Sequence, residues 1–176
     1  MKHQGKAHEG ERGDRVRGPR SGERVVVLAD TPNLFKSTRE SFGDAFQPDY
    51  AELLSMAQSR GEEIRAFAFV NDGFPRHRAN TLRANGFTVL PSEGRDCDFR
   101  IVDQAVAMHR YGQTFILCSG DHRFAAISSM LRILGKYVIV AALRQSCSSL
   151  LLHNADEFIP FPVLQCSGIQ RARAAA

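Results

Sequence analysis

Two apolar runs that each end in an aspartate constrain this chain more than any other feature. RVVVLAD, residues 24–30, and TFILCSGD, residues 114–121, are short and continuously apolar up to a polar boundary. That is the pattern of a strand buried on both faces. In the second run, Ser119, Gly120 and Asp121 form a turn signal. From His122 to Leu134, Phe124, Ile127, Leu131 and Leu134 recur at helical spacing. Asp121 therefore sits where a buried strand hands over to a helix. Open α/β sheets bind their ligands at that carboxyl end. An aspartate there also serves as a plain helix cap. Asp30, at the equivalent point of another strand, sets a shared ligand site against simple capping.

The rest of the chain repeats the alternation. EIRAFAFV (63–70), FTVL (87–90) and KYVIVA (136–141) read as strands, and EFIPF (157–161) as a short last strand that Pro160 confines to an edge. PDYAELLSMAQSRG (48–61) starts on Pro and ends on Gly, the usual helix asymmetry. Residues 76–86, 96–112 and 145–154 also read as helical. Pro32 fixes the backbone just past the first strand, and Asn33 is a natural turn or capping residue. Strands alternating with helices predict a parallel sheet covered on both faces, with right-handed crossovers. The expectation is a five-stranded parallel core with a short sixth strand, in one domain over residues 23–163. Residues 1–22 are nearly free of apolar side chains and are expected to be a disordered basic tail. Residues 164–176 are expected to be a second tail.

Composition narrows the function classes. A chain of 176 residues, 43% hydrophobic, supports one domain with a real core. No stretch approaches the ~20 apolar residues that span a bilayer, and no apolar leader segment is visible. Cysteines at 97, 118, 147 and 166 include no CxxC pair, which disfavours a zinc site or disulfide framework and fits a cytoplasmic setting. The net charge of +4 is concentrated at the ends: residues 1–24 carry +3, and Arg171 with Arg173 carry +2, which leaves −1 for the centre. Basic tails can hold a polyanion such as RNA, or simply be solvated. Arg76, His77, Arg78 and Arg83 likewise read as a solvated basic helix face. No GxGxxG or GxxxxGK[ST] follows a strand. Ser119 lies in no GxSxG elbow, and His109 and His153 read as helix-surface residues. A dehalogenase-type phosphatase would need a second Asp where Pro32 stands.

The carboxylates remain. Asp30 ends the first strand, Asp96, Asp98 and Asp103 open the helix after the third, and Asp121 follows the fourth. If the strands bearing Asp30 and Asp121 are neighbours, the two acids converge on one edge. Converging carboxylates repel unless a cation lies between them. Hard oxygen donors suit Mg²⁺ or Mn²⁺, which can activate water and stabilise the leaving oxygen in phosphodiester hydrolysis. Separate capping by each acid is the alternative.

This order resembles the NYN domain, a branch of the PIN-like nuclease superfamily. That family opens with a hydrophobic strand ending in Asp, followed three residues later by Asn; here these are Asp30 and Asn33 in LADTPNLF. It carries an acid before a helix and a second Asp beyond it, matched by Asp98 and Asp103 in GRDCDFRIVDQAV. Its most specific block is a strand, Ser-Gly-Asp-Ser-Asp-Phe, a helix, Gly-Lys and a strand, matched by ILCSGDHRFAAISSMLRILGKYVIV. The resemblance covers residues 24–161. It implies an α/β fold, a PIN-like Rossmannoid three-layer α/β/α sandwich with a mostly parallel central sheet. It also implies a ribonuclease in which Asp30, Asp98 and Asp121 bind Mg²⁺ or Mn²⁺, and Asn33, Ser119 and Asp103 orient carboxylates or substrate. RNA is the implied partner, no membrane is involved, and a homo-oligomer is left open.

The departures bear on a second metal position or on water positioning. Arg123 replaces the block's second Asp, His122 replaces its Ser, and the Asp98–Asp103 interval is one residue short. A guanidinium has donors only and cannot ligate a metal. Arg123 could hold a backbone phosphate, or could pair with Asp121 in a catalytically silent domain that binds RNA or a protein. On an α-helix, residues two apart diverge by about 200°, which favours the phosphate-facing option.

Overall fold

A computed structural model describes residues 22–93 and 97–166. The tail expectations, apart from their inner ends, and the position of Asp96 lie outside the described residues. The elements in order are β1 (Arg24–Asp30), α1 (Thr31–Phe42), β2 (Phe46–Pro48), α2 (Tyr50–Gln58), β3 (Glu63–Val70), α3 (Arg76–Ala84) and β4 (Thr88–Pro91). They continue with α4 (Asp98–Met108), β5 (Thr114–Cys118), a 3₁₀ turn (His122–Phe124), α5 (Ala125–Ile133) and β6 (Tyr137–Ala142). A 3₁₀ turn (Arg144–Ser146), α6 (Ser149–His153), β7 (Glu157–Pro160) and β8 (Val163–Gln165) complete the described chain.

Six strands form one sheet in the order β4-β3-β1-β5-β6-β7, every pair parallel. The chain winds outward from β1 through β3 to β4, then returns to β5 on the other side of β1. The switch point of the topology therefore lies between β1 and β5, the crevice where such sheets take ligands. Alternate residues of β1 serve opposite cores. Val25, Val27 and Ala29 pack with Leu34, Leu53 and Leu82 of α1–α3. Val26 and Leu28 pack with Ile101, Leu131 and Leu151 of α4–α6. Burial on both faces is why β1 reads as an unbroken apolar run rather than an alternating one. The result is the expected three-layer α/β/α arrangement, with β7 at an edge as Pro160 requires.

Three local features differ from the sequence expectation. The helix after β1 begins at Thr31, with Asp30 as its cap and Pro32 in the first turn, where a missing N–H costs nothing. The helix expected from His122 divides into a 3₁₀ turn and α5. Residues 164 and 165, assigned to the tail, belong to β8, which pairs antiparallel with β2 from Phe46↔Gln165 to Pro48↔Val163. Both strands are three residues long, too short to carry a period.

Gly120 joins β5 to the 3₁₀ turn by close approach. A Cβ there would lie 2.5 Å from the Ser146 carbonyl oxygen, and the Ser148 N–H donates to the Gly120 carbonyl at 2.9 Å. Gly120→Ala is expected to destabilise the fold by about 1–3 kcal/mol, since backbone rather than a flexible side chain must yield. A thermal melt within about 1 °C of the parent would contradict this.

Candidate functional site

Asp30 is almost fully buried at the end of β1. As the cap of α1 it accepts a hydrogen bond from the Asn33 N–H at 3.3 Å, and its other oxygen accepts from the Ser119 hydroxyl at 3.0 Å. Ser119 Oγ in turn accepts from the Asp121 N–H at 3.2 Å, and Asn33 Oδ1 accepts from the Gly120 N–H at 3.2 Å. Asn33 and Ser119 thus stitch the carboxyl ends of β1 and β5 together and fix the Asp30 carboxylate. Asp30 thus caps α1 and at the same time is tied to the turn after β5.

Burial pushes the Asp30 pKa up to about 6. The hydrogen bonds from Asn33 and Ser119 counter this, while the charges of Asp98 and Asp121 add to it. The three acids therefore share one field at one sheet edge. Beneath them, burial raises the Cys118 thiol and the Tyr50 phenol well above their ordinary values, with Asp30 adding to both. Neither is poised as a nucleophile.

Asp121 is partnered differently. Its Oδ1 accepts from the Arg123 N–H at 3.0 Å, and its Oδ2 accepts from Arg123 Nε at 3.1 Å and Nη2 at 2.8 Å. His122 Nδ1 lies 3.3 Å from Oδ1. Burial pulls the Asp121 pKa upward, but the Arg123 hydrogen bonds and charge, with His122, outweigh it and hold the carboxyl below its usual range. Arg123 Nη1 also pairs with Asp98, so one guanidinium spans two of the three carboxylates. The sequence expectation that Arg123 points away from Asp121 is therefore corrected. Asp121 is not inside a helix: it is the extended cap of a 3₁₀ turn, φ −74° and ψ 131°, and its carboxylate folds over the next turn. The long Arg side chain curls back to meet it.

Asp103 is exposed on α4, about 140° round the helix from Asp98. The carboxylates acting on Asp30 are Asp98 and Asp121. Among the described residues, no three His, Cys, Asp or Glu side chains are grouped so as to hold a metal ion. Carboxylate oxygens are the donors a hard cation prefers, and Asp98 and Asp121 lie close enough to Asp30 to act on its charge, but the expected three-carboxylate grouping is not formed with Arg123 between Asp98 and Asp121. The guanidinium already neutralises the two more accessible ones.

Basic residues share the carboxyl edge of the sheet with the acids. Arg76, His77 and Arg78 open α3, Arg100 lies in the first turn of α4, and Arg144 follows β6. Each belongs to a segment that leaves the carboxyl end of a parallel strand. Arg78 stacks over Phe35 at 4.5 Å and Arg144 over Phe158 at 4.7 Å. The α3 group is exposed, as the solvated face expected from the sequence requires; Arg144 carries no motif in the sequence. The available signal was position after a strand rather than spacing on a helix. No helix among the described residues is long and apolar enough to cross a membrane.

Comparison with known proteins agrees with this geometry. The family model described as the NYN domain matches residues 24–165. No curated protein matches the chain. A crystal structure of a protein of unknown function from Vibrio parahaemolyticus shares the fold, with a TM-score of 0.72 and 24% identity over 80% of this chain and 94% of that one. Asp30 and Asn33, the Ser119-Gly120-Asp121 turn and the β1/β5 switch point all lie inside the matched span, and the chain belongs to the NYN domain family of the PIN-like nuclease superfamily.

Proposed function

We propose that this chain is a metal-dependent ribonuclease that hydrolyses RNA phosphodiester bonds at the β1/β5 edge. The observation that carries the reading is a buried carboxylate, Asp30, whose pKa is pushed up to about 6 chiefly by burial, with the charges of Asp98 and Asp121 adding to it at the same sheet edge. Asp30, Asp98 and Asp121 would hold Mg²⁺ or Mn²⁺. Such an ion supplies an activated water and neutralises charge on the phosphodiester oxygens. The chain's own residues do the rest. Asp30 must be deprotonated to serve, and Asn33 and Ser119 keep its two oxygens oriented. Arg123 must release Asp98 and Asp121. Its side chain is 52% exposed while the two carboxylates are 15% and 16% exposed, so water screens the pair from the cation side only. Once released, its planar donors suit a backbone phosphate, and the arginines at this edge suit the flanking phosphates.

Labelled single-stranded and structured RNAs incubated with Mn²⁺, Mg²⁺ or chelator test the reading. Cleavage is expected with either metal and not with chelator. It should rise with pH through about 6, because Asp30 is protonated below that value and cannot ligate. Cleavage that persists in chelator would sink the metal-dependent reading. One observation favours a second reading, a catalytically silent domain that binds RNA or a protein partner: Arg123 spans two of the family's acids. RNA bound but uncleaved in every metal would select it.

A further inference from the structure

Beside the carboxylates lies a groove that the proposed mechanism does not use. It is lined by Asp72 after β3, Pro91, Ser92 and Glu93 at the end of β4, and Phe99 and Arg100 in the first turn of α4. Its volume of about 560 Å³ is ample for a small planar ligand. Three features of its lining are unusual together. Phe99 is 82% exposed, although the core leaves few large apolar side chains outside. Ser92 is 2% exposed, yet its hydroxyl has no hydrogen-bond partner among the described residues. Buried polar groups are ordinarily satisfied, and the polar edge of an occupant is one way to satisfy this one. Phe99 also directly follows Asp98, which places the groove next to the reacting edge.

We propose that this groove is a nucleobase subsite: an unpaired base of single-stranded RNA stacks on Phe99 and turns its polar edge toward Ser92 and the acids. The inference rests on the ribonucleic-acid reading above and names its substrate form. The charges decide what kind of group enters. Asp72 and Glu93 repel a phosphate, but carboxylates accept from exocyclic amines, as they do from cytosine N4. Arg100 at the lip suits the phosphate that flanks the base. An aromatic platform beside a basic rim is how single strands are bound, because every base offers a π-face while a duplex keeps its bases stacked internally. Continuity with Asp98 puts the bound base one step from the phosphodiester that the carboxylates would address.

The test measures affinity by fluorescence anisotropy, with the full chain in chelator so that hydrolysis plays no part. Labelled single-stranded and duplex RNAs are titrated with wild type, Phe99→Ala and Phe99→Tyr. Loss of one stacking platform is expected to weaken single-strand binding by about 5- to 150-fold. Phe99→Tyr should restore it, and duplex affinity should not change. Phe99 is exposed, so its removal leaves the core unchanged, and the tyrosine variant separates loss of stacking from loss of folding. Equal single-strand affinity of wild type and Phe99→Ala overturns the subsite while leaving ribonuclease action in metal untouched. Equal losses on single strand and duplex also overturn it. A wild type that binds no RNA of either kind overturns both the subsite and the function it rests on.

Discussion

Replacing Arg123 with alanine should tighten Mn²⁺ binding by about 5- to 30-fold, and Arg123→Asp should tighten it further. The guanidinium donates twice to Asp121 Oδ2 and pairs with Asp98, so it competes for the same oxygens that a cation would need. A unit charge about 4 Å away is worth roughly 4 kcal/mol at an effective dielectric of 20. Half exposure of the side chain cuts this to about 1–2 kcal/mol, which sets the range given. Arg123→Asp exchanges a competitor for a fourth carboxylate, the residue type of the family block. Calorimetric titration with Mn²⁺ gives the affinities, and RNA cleavage by the same three proteins gives the consequence. If Arg123→Asp cleaves strongly where wild type is inert, Arg123 is what silences the site. Metal affinity unchanged by alanine would mean that the ion pair is too weak to matter, and Arg123 would then be free to meet phosphate.

The fold was legible because its strands are buried on both faces. VVVLA in β1 and FILC in β5 admit few readings other than buried strands between turns. Asp30 and Asp121 stood out for a related reason: Asp30 is the first polar side chain after its run, and Asp121 is the first acid after the other, past Ser119 and Gly120. Their adjacency was not a matter of period. It follows from β5 returning to the open side of β1, which alternation and handedness only narrow down. The direction taken by Arg123 was hidden because it depends on one local choice, 3₁₀ rather than α, just after Gly120. The acid caps its own turn through the Arg123 N–H and so draws the side chain back. Phe99 and Ser92 were hidden for another reason. An apolar side chain left in water and a hydroxyl shut away from it are both exceptions to pattern, and pattern is what sequence reading uses.

Asp30→Asn is expected to stabilise the protein at neutral pH while removing metal-dependent cleavage. The Asp30 carboxyl titrates at about 6 in the folded chain against an ordinary 3.8. The native state therefore holds the proton more tightly than the unfolded state. By linkage, stability falls as pH rises from about 4 to about 6 and stays lower above that. A displacement of about two pH units corresponds to about 2–3 kcal/mol, the strain of keeping a charged carboxylate buried beside Asp98 and Asp121. An asparagine carries no charge, and its oxygen can still accept from the Asn33 N–H. Its amide cannot accept from the Ser119 hydroxyl as the second carboxylate oxygen does, which offsets about 1 kcal/mol. At pH 8 the variant should melt about 3–8 °C higher, and at pH 4 the advantage should vanish or reverse. Cleavage with Mn²⁺ should fall by about 100-fold or more, since the buried ligand is lost. Added Mn²⁺ should raise the melting temperature of wild type but not of the variant, because only a state that binds the ion gains from it. A variant less stable than wild type at pH 8 would mean that the Asp30 charge is compensated in the fold, and the case for a cation drawn to this edge would lose its main support.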